Sequence, residues 1–447
     1  MDIKKLYQLY KQHPYITTDS RDCPEGSIFV ALKGDSFNGN DFAAKALQQG
    51  CAYAIVDEPQ AIDDSRKDQF ILVDDCLQTF KLLAREHRRQ FDIPVVGITG
   101  TNGKTTTKEL VATVLAEQYN VMATQGNFNN DVGVPKTLFR LNGDHEIAVV
   151  EMGASHLGDI KTLVETAEPT CGLITNVGRA HLQGFGSFEG VKKTKGELYD
   201  YLRKRGEEGD PDHGFVFINA DDKDLMQMAD ERGIILQAAY GTGNNEDIVV
   251  KGEVVECAPF LKFRWWISDE EGDSPKEEVQ THLIGSYNLY NMLAAISVGL
   301  FFDVDIPQIN HALSNYIPNN NRSQLTRTAS NTLIVDAYNA NPTSMAAALK
   351  NFRDMKMENK MAILGDMREL GEASAEEHQR IADMLNEYGL TNTWLVGEEF
   401  GKTDSPFRKF SDVEQVKAAI AQEPPRDCCI LIKGSNSIRL YQLPEVL

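Results

Sequence analysis

Short apolar runs alternate with amphipathic stretches along almost the whole chain, and the rhythm of that alternation changes twice, which divides it into three blocks. In residues 1–91 the apolar runs 27–32, 52–56 and 70–73 read as strands and 41–49 and 77–90 as helices, a small α/β unit. In residues 92–311 strands are expected at 95–99, 147–151 and 172–176, with a helix from about 105 to 119. The same block continues with 247–257, 260–268 and 277–284, turn-separated strands that suggest an antiparallel extension, and a strongly apolar helix at 289–302 closes it. In residues 312–447 the alternation restarts, with strands at 333–336, 361–364, 393–396 and 429–432, each followed by a helical pattern. One of those helices carries a capping-box pattern, Ser374 with Glu377, and should end near Gly389. Strands that alternate with helices imply parallel sheets covered on both faces. The expected fold is therefore α/β in three domains: a small first one, a central doubly wound, mostly parallel sheet with an antiparallel extension, and a Rossmann-like C-terminal domain.

Composition agrees with this picture and narrows it. A chain of 447 residues, 42% hydrophobic and 25% charged, fits a soluble protein of roughly three domains. Its net charge of −21 argues against nonspecific nucleic-acid binding, and a phosphorylated ligand would need a local basic pocket and metal ions. The cysteines at 23, 51, 76, 171, 257, 428 and 429 form neither a CxxC pair nor a disulfide framework, which suits a reducing cytoplasm. The N-terminus is too polar for a signal peptide, and no apolar run is long enough to span a bilayer, so no membrane insertion is expected.

Candidate chemistry begins at the strand 95–99, which runs into Gly100-Thr101-Asn102-Gly103-Lys104-Thr105-Thr106. A glycine-rich turn between strand and helix lets backbone N–H groups approach phosphate oxygens, the lysine adds a point charge, and the threonine hydroxyl can ligate Mg2+. The general phosphate-loop spacing would place a glycine at 98, where this chain has Ile98. Glu151 ends an apolar strand, where it is either a metal ligand or a helix cap. His181 follows another strand and is weak evidence alone. Lys192, Lys193 and Lys195 share a helix-like segment, and spacing leaves open whether they form a solvated basic face.

Together these segments resemble the Mur ligase family of ATP-dependent amide-forming enzymes, whose phosphate loop has the form Gly97-Ile-Thr-Gly-Thr-Asn-Gly-Lys-Thr105 and so accounts for the unusual spacing. The other matches are Asp19-Ser-Arg-Asp, Gly26-Ser-Ile-Phe-Val-Ala-Leu-Lys-Gly34, Asn127-Phe-Asn-Asn-Asp-Val-Gly-Val-Pro135, Glu151-Met-Gly-Ala154, Asn176-Val-Gly-Arg-Ala-His-Leu182 and Lys195-Gly-Glu197. Asp336-Ala-Tyr-Asn-Ala-Asn-Pro-Thr-Ser-Met345 and Leu364-Gly-Asp-Met-Arg-Glu-Leu-Gly371 follow in the family's order. An Asp-Asn-Pro-Arg motif, typical of the diaminopimelate-adding branch, is absent, which favours the branch that adds D-alanyl-D-alanine to UDP-N-acetylmuramoyl-tripeptide.

The resemblance implies that ATP phosphorylates a peptide carboxylate and that the dipeptide amine attacks the acyl phosphate. It implies catalytic roles for Lys104, Glu151, His181 and Lys195, with Thr105 and Glu151 on one Mg2+, His181 on a second, and Lys195 carbamylated by CO2 as a metal-side ligand. ATP contacts would come from residues 100–106, Asn288, Asn291, Arg322 and Asp336. Substrate contacts would come from Ser20, Arg21, Gly34, Asn127, Asn130, Tyr338, Asn339 and Asn341. The pattern departs from the family at Tyr287, where His is common, and at Asn436, where an arginine is usual and Arg439 is the candidate substitute. The expected protein is a cytoplasmic monomer. Two other readings are a Mur-like ligase with a different amino-acid or non-murein substrate, and a noncatalytic nucleotide-binding module, which would be expected to lose Lys104, Glu151, His181 or Lys195.

Overall fold

A computed structural model describes residues 2–207, 214–243, 245, 247–318 and 324–447. The chain forms two compact units. The first comprises Met1–Gly97, Asn120–Gly153 and Lys161–Thr170, and the second Ile98–Tyr119, Ala154–Ile160 and Cys171–Leu447.

In the first unit, Ile16–Thr17, Ile28–Val30, Tyr53–Val56 and Phe70–Leu72 make a parallel four-stranded sheet in that order. Helix Cys76–Arg88 starts at Asp75, whose carboxylate accepts the Gln78 N–H at 2.7 Å, an N-cap that satisfies an otherwise orphaned donor. Leu6, Phe29, Ile55, Phe80 and Leu83 meet in its core. The predicted helix 41–49 divides into a 3-10 turn, Gly39–Phe42, and a short helix, Ala43–Gln48. Val121–Ala123 and Ile147–Glu151 pair in parallel, and all five residues of the latter are buried.

In the second unit, Cys171–Ile174, Phe215–Asn219, Gln237–Gly241 and Ile248–Cys257 are successive parallel neighbours. Phe260–Asp269 then pairs antiparallel with both Ile248–Cys257 and Glu277–Ile284, the expected extension. Helix Asn288–Phe301 is apolar because it is buried on most sides, from Leu289 to Gly299. The helix expected at 105–119 runs over Lys104–Leu115 and stops a turn early.

The C-terminal sheet has the order Gln324–Arg327, Asn331–Asp336, Cys428–Lys433, Lys360–Gly365, Thr393–Val396, Arg408–Phe410, parallel except at its first, antiparallel edge. Successive residues point to opposite faces. Ile334, Leu364 and Leu431 pack with Leu349, Phe352 and Ile381 on one side. Leu333, Ile363 and Ile430 pack with Val416 and Ile420 on the other. Two sequence expectations fail here. The last strand is followed by 3-10 turns, Asn436–Ile438 and Leu440–Glu445, and not by an α-helix. The Ser374–Glu377 capping box does not form, because the turn Gly371–Ala373 carries the chain into the helix and Ser374 is already helical. Its hydroxyl donates to Glu399 at 3.0 Å, and Glu377 pairs with Arg380 at 2.7 Å.

Candidate active site

The phosphate loop owes its shape to two glycines and two neighbouring polar residues. Gly100 (φ +144°) and Gly103 (φ +80°) occupy backbone regions that disfavour side chains, and a Cβ at Gly100 would lie 2.0 Å from Thr175 Oγ1. The N–H groups of Thr101 and Asn102 donate to the carbonyl and Oδ1 of Asn176 at 2.9 and 3.0 Å. Asn176 Nδ2 and Thr175 Oγ1 both donate to the Asn102 carbonyl, at 2.9 and 2.6 Å. Lys104 Nζ donates to the Gly100 and Thr101 carbonyls at 2.9 and 3.0 Å, which holds a cation over a turn at a helix N-terminus. Thr105 is buried and Thr106 half-buried on the first turn of that helix.

Of the lysines at 192, 193 and 195 on helix Phe188–Glu207, Lys193 is exposed and Lys192 is half-buried and pairs with Glu189 at 2.6 Å. Lys195 instead points inward and is 2% exposed. Burial drives its pKa well below the ordinary lysine value, and the Lys104 charge pushes it further down, against weaker opposition from Asp159 and Glu197. Among the described residues it faces no carboxylate at ion-pair distance. Its Nζ lies 5.7 Å from the centre of the Phe185 ring, and the same ring stands edge-to-face with His181 at 6.3 Å. His181 has a left-handed backbone (φ +51°), and its Nδ1 abuts the carboxylate of Glu369. That contact lowers the Glu369 pKa.

In the first unit, Glu151 is 1% exposed at the end of its strand. Its N–H donates to Thr124 Oγ1 at 3.0 Å and its Oε1 accepts from Asn129 Nδ2 at 2.7 Å. Oε2 is buried and has no hydrogen-bond partner among the described residues. A helix cap would use that oxygen on backbone N–H groups, so the capping alternative does not describe Glu151. Asn129 received no role from the sequence, although it lies inside the quoted Asn127–Pro135 motif.

Three family models match the chain: the Mur ligase family, catalytic domain over residues 14–88; the Mur ligase middle domain over 98–299; and the Mur ligase, glutamate ligase domain over 321–436. The UDP-N-acetylmuramoyl-tripeptide–D-alanyl-D-alanine ligase of Synechocystis is 31% identical over 440 residues, covering 95% of this chain and 90% of its own. The chain belongs to the Mur ligase family. The enzyme of the same name from Escherichia coli K12 is 31% identical over 442 residues, covering 97% of this chain and 93% of its own. Among solved structures, MurF from Acinetobacter baumannii superposes with a TM-score of 0.85 at 28% identity, covering 96% of this chain and 92% of its own. MurF from Thermotoga maritima in complex with ADP gives 0.82 at 25% identity, covering 97% and 96%.

Several residues singled out as Mur ligase contacts are held by internal bonds. Asn288 Nδ2 donates to the Ile284 carbonyl at 2.8 Å and its Oδ1 accepts from Asn291 Nδ2 at 2.7 Å, while Asn291 Oδ1 accepts from Thr107 at 3.0 Å. The pair thus ties helix Asn288–Phe301 to the phosphate-loop helix. Tyr287 is half-buried just before it. Asn341 caps helix Pro342–Asp354, accepting the Ser344 N–H at 2.9 Å, and its Nδ2 donates to Asn102 Oδ1 at 2.7 Å. Asp336 accepts from Lys433 Nζ at 2.6 Å across adjacent strands, and the lysine reaches the Asn339 carbonyl at 3.4 Å. Tyr338 is half-buried beside them, Arg439 is exposed, and Arg322 lies outside the described residues.

Among the first-unit contacts, Arg21 makes a two-pronged pair with Asp19 at 2.9 and 2.7 Å, which lowers the Asp19 pKa. Ser20 is half-buried beside it. Gly34 lies under the exposed Phe37 ring, where a Cβ would come within 2.4 Å. Asn127 is exposed, and Asn130 Oδ1 accepts the Gly133 N–H at 2.7 Å at the start of a short helix.

A Mg2+ ion prefers hard oxygen donors. Among the described residues no three His, Cys, Asp or Glu side chains gather as a metal cage. The unpartnered Glu151 oxygen of the first unit and the Thr105 hydroxyl of the second are each donors of this kind. An unmodified amine at Lys195 does not, whereas a carbamate there would.

Proposed function

We propose that this Mur ligase is the ATP-dependent enzyme that joins D-alanyl-D-alanine to UDP-N-acetylmuramoyl-tripeptide in peptidoglycan precursor synthesis, with release of ADP and phosphate. Relatives carrying that name match nearly the full chain. Lys195 carries the mechanistic part of the reading: it is a fully buried amine whose pKa is lowered by desolvation and by Lys104, in a family that makes amides from ATP.

The peptide carboxylate takes the γ-phosphoryl group of ATP to give an acyl phosphate and ADP. The dipeptide amine then attacks the acyl carbon, phosphate leaves, and the amine loses a proton. Moving a phosphoryl group between two anions needs fixed positive charge. Lys104, which donates to the Gly100 and Thr101 carbonyls of its own loop, would turn its ammonium to phosphate oxygens, beside the N–H groups at the start of the following helix. A neutral Lys195 amine can add CO2 and lose a proton to become a carbamate. Thr105 and Glu151 would hold one Mg2+ and His181 with carbamylated Lys195 a second, ions that neutralise charge on the transferring group when bound. Asn129 holds Glu151 Oε1 and leaves Oε2 free.

We assign residues 1–91 to the UDP-linked substrate, with Ser20, Arg21 and Gly34, and 92–311 to ATP. Residues 312–447, with Asp336, Tyr338, Asn339 and Asn341, are assigned to nucleotide and incoming dipeptide. We read the enzyme as a cytoplasmic monomer; its seven cysteines form no disulfide, which suits a reducing compartment, and no described helix is long and apolar enough to cross a membrane. The deciding assay is phosphate release from ATP with UDP-N-acetylmuramoyl-tripeptide and either D-Ala-D-Ala or single amino acids, with mass analysis of the product. Release that depends on D-Ala-D-Ala, with the dipeptide in the product, is expected. Ligation of single amino acids alone would overturn the substrate assignment, and no release with any acceptor would return the chain to a noncatalytic role.

A further inference from the structure

The contact between His181 and Glu369 joins two residues that both adopt the left-handed backbone, at φ +51° and +64°. Non-glycine residues are disfavoured there, and such strain persists only where the surroundings enforce it. Glycine would be the easier choice at both places, and the chain does use it two residues on, at Gly371 (φ +57°), where a Cβ would lie 3.6 Å from Gln183. The sequence instead keeps an imidazole and a carboxylate facing each other. Glu369 belongs to the Leu364–Gly371 motif, which received no role from the sequence. No hydrogen bond is aligned on the buried Nδ1 of His181 among the described residues, so the abutting carboxylate is the group placed to accept its proton. Phe185, in the short helix Leu182–Phe185 that follows His181, packs edge-on against the same imidazole.

From this geometry we infer that Glu369 is a positioning residue: its carboxylate holds the Nδ1–H tautomer and the orientation of His181, leaving Nε2 free as the metal-binding nitrogen. A metal-ligating histidine needs its second nitrogen anchored in this way, and losing the anchor typically costs about 10–100-fold in metal affinity or activity. Because Glu369 is contributed by the C-terminal domain and His181 by the central one, the ligand is fully oriented only when these two segments meet. The inference rests on the proposed role of His181 as a metal ligand.

The test uses the full chain as wild type, Glu369→Ala, Glu369→Gln and His181→Ala. Mn2+ binding to the enzyme with ADP is followed by electron paramagnetic resonance, alongside turnover and melting temperature. Glu369→Ala should weaken Mn2+ binding and lower kcat by about tenfold or more, with the KM for D-Ala-D-Ala unchanged. Glu369→Gln, which keeps an acceptor oxygen, should stay within about threefold of wild type. Should the alanine variant melt early, Glu369→Gly makes the same deletion while relaxing the backbone, and must show the same loss of Mn2+ binding. Wild-type Mn2+ binding in folded Glu369→Ala or Glu369→Gly, with loss in His181→Ala, would overturn the positioning role. Wild-type binding in His181→Ala would remove the ligand role and this inference with it, whereas the ligase reaction itself stands or falls on phosphate release by the wild type.

Discussion

Two lysines in the second unit are both 2% exposed and have opposite surroundings. Lys433 ends a strand beside Asp336, bonds its carboxylate at 2.6 Å and reaches a backbone carbonyl as well. Lys195 meets an aromatic ring and the repulsion of Lys104. A buried ammonium is costly unless it is paired and hydrogen-bonded. Lys433 meets that condition and serves the architecture, locking two neighbouring strands at their carboxyl ends. Lys195 fails it, so its surroundings favour the neutral amine, the form able to react with CO2. The same contrast separates Asp366, whose oxygens accept the Glu399 and Phe400 N–H groups at 3.0 and 2.9 Å, from Glu151 with its unpartnered Oε2. In these two pairs the side chain satisfied within the protein supports the fold, and the one left without a partner is the one to which chemistry is assigned.

One substitution made at both lysines tests this directly. Lys195→Met keeps the length and apolar stem of the side chain and removes the reactive amine. Phosphate release should fall by about 10³-fold, roughly the loss expected when a unique transition-state contact goes. The melting temperature should hold or rise, since an unpaired buried amine has been replaced by a group that suits its site. Activity near wild type in Lys195→Met would end the assignment. At Lys433 the same change strands a largely buried carboxylate, and stability should drop by about 3 kcal/mol in urea unfolding. A Lys433→Met variant as stable as wild type would show that the Asp336 pair is not structural.

The contrast was only partly legible in the sequence. Strand and helix alternation predicted the C-terminal sheet because Asn331–Asp336 and Cys428–Lys433 are buried on both faces and read as continuous apolar runs. Lys195 could have been placed inward from its neighbours, for Val191, Leu198 and Leu202 share its face at helical spacing, but three lysines in four positions resemble a solvated surface. The Lys433–Asp336 pair and the Glu369–His181 contact join distant segments, and no local pattern announces either. Ser374 shows the opposite error: a correct capping-box pattern was overridden because the preceding turn had already started the helix. The asparagines at 288, 291 and 341 fit a ligand motif in sequence, and the bonds they also make within the protein are visible only in three dimensions.

The smallest predicted effect follows from the same amine. In the unfolded chain Lys195 should titrate near the ordinary lysine value of about 10.4. In the native protein burial and Lys104 set it well lower. Between those two values the unfolded chain binds one proton more than the native one, so native stability rises with pH by up to about 1.4 kcal/mol per pH unit and levels off above the unfolded value. This is the reverse of a lysine stabilised by a carboxylate, whose contribution disappears as pH rises. In CO2-free buffer, urea unfolding of wild type between neutral and alkaline pH should therefore show a steeper gain in stability than Lys195→Met. Bicarbonate should stabilise the wild type, because the carbamate forms on the native side chain, and leave the methionine variant unmoved. Parallel pH profiles for the two proteins would mean that the Lys195 amine is charged in the native state, and the contrast with Lys433 would then rest on packing alone.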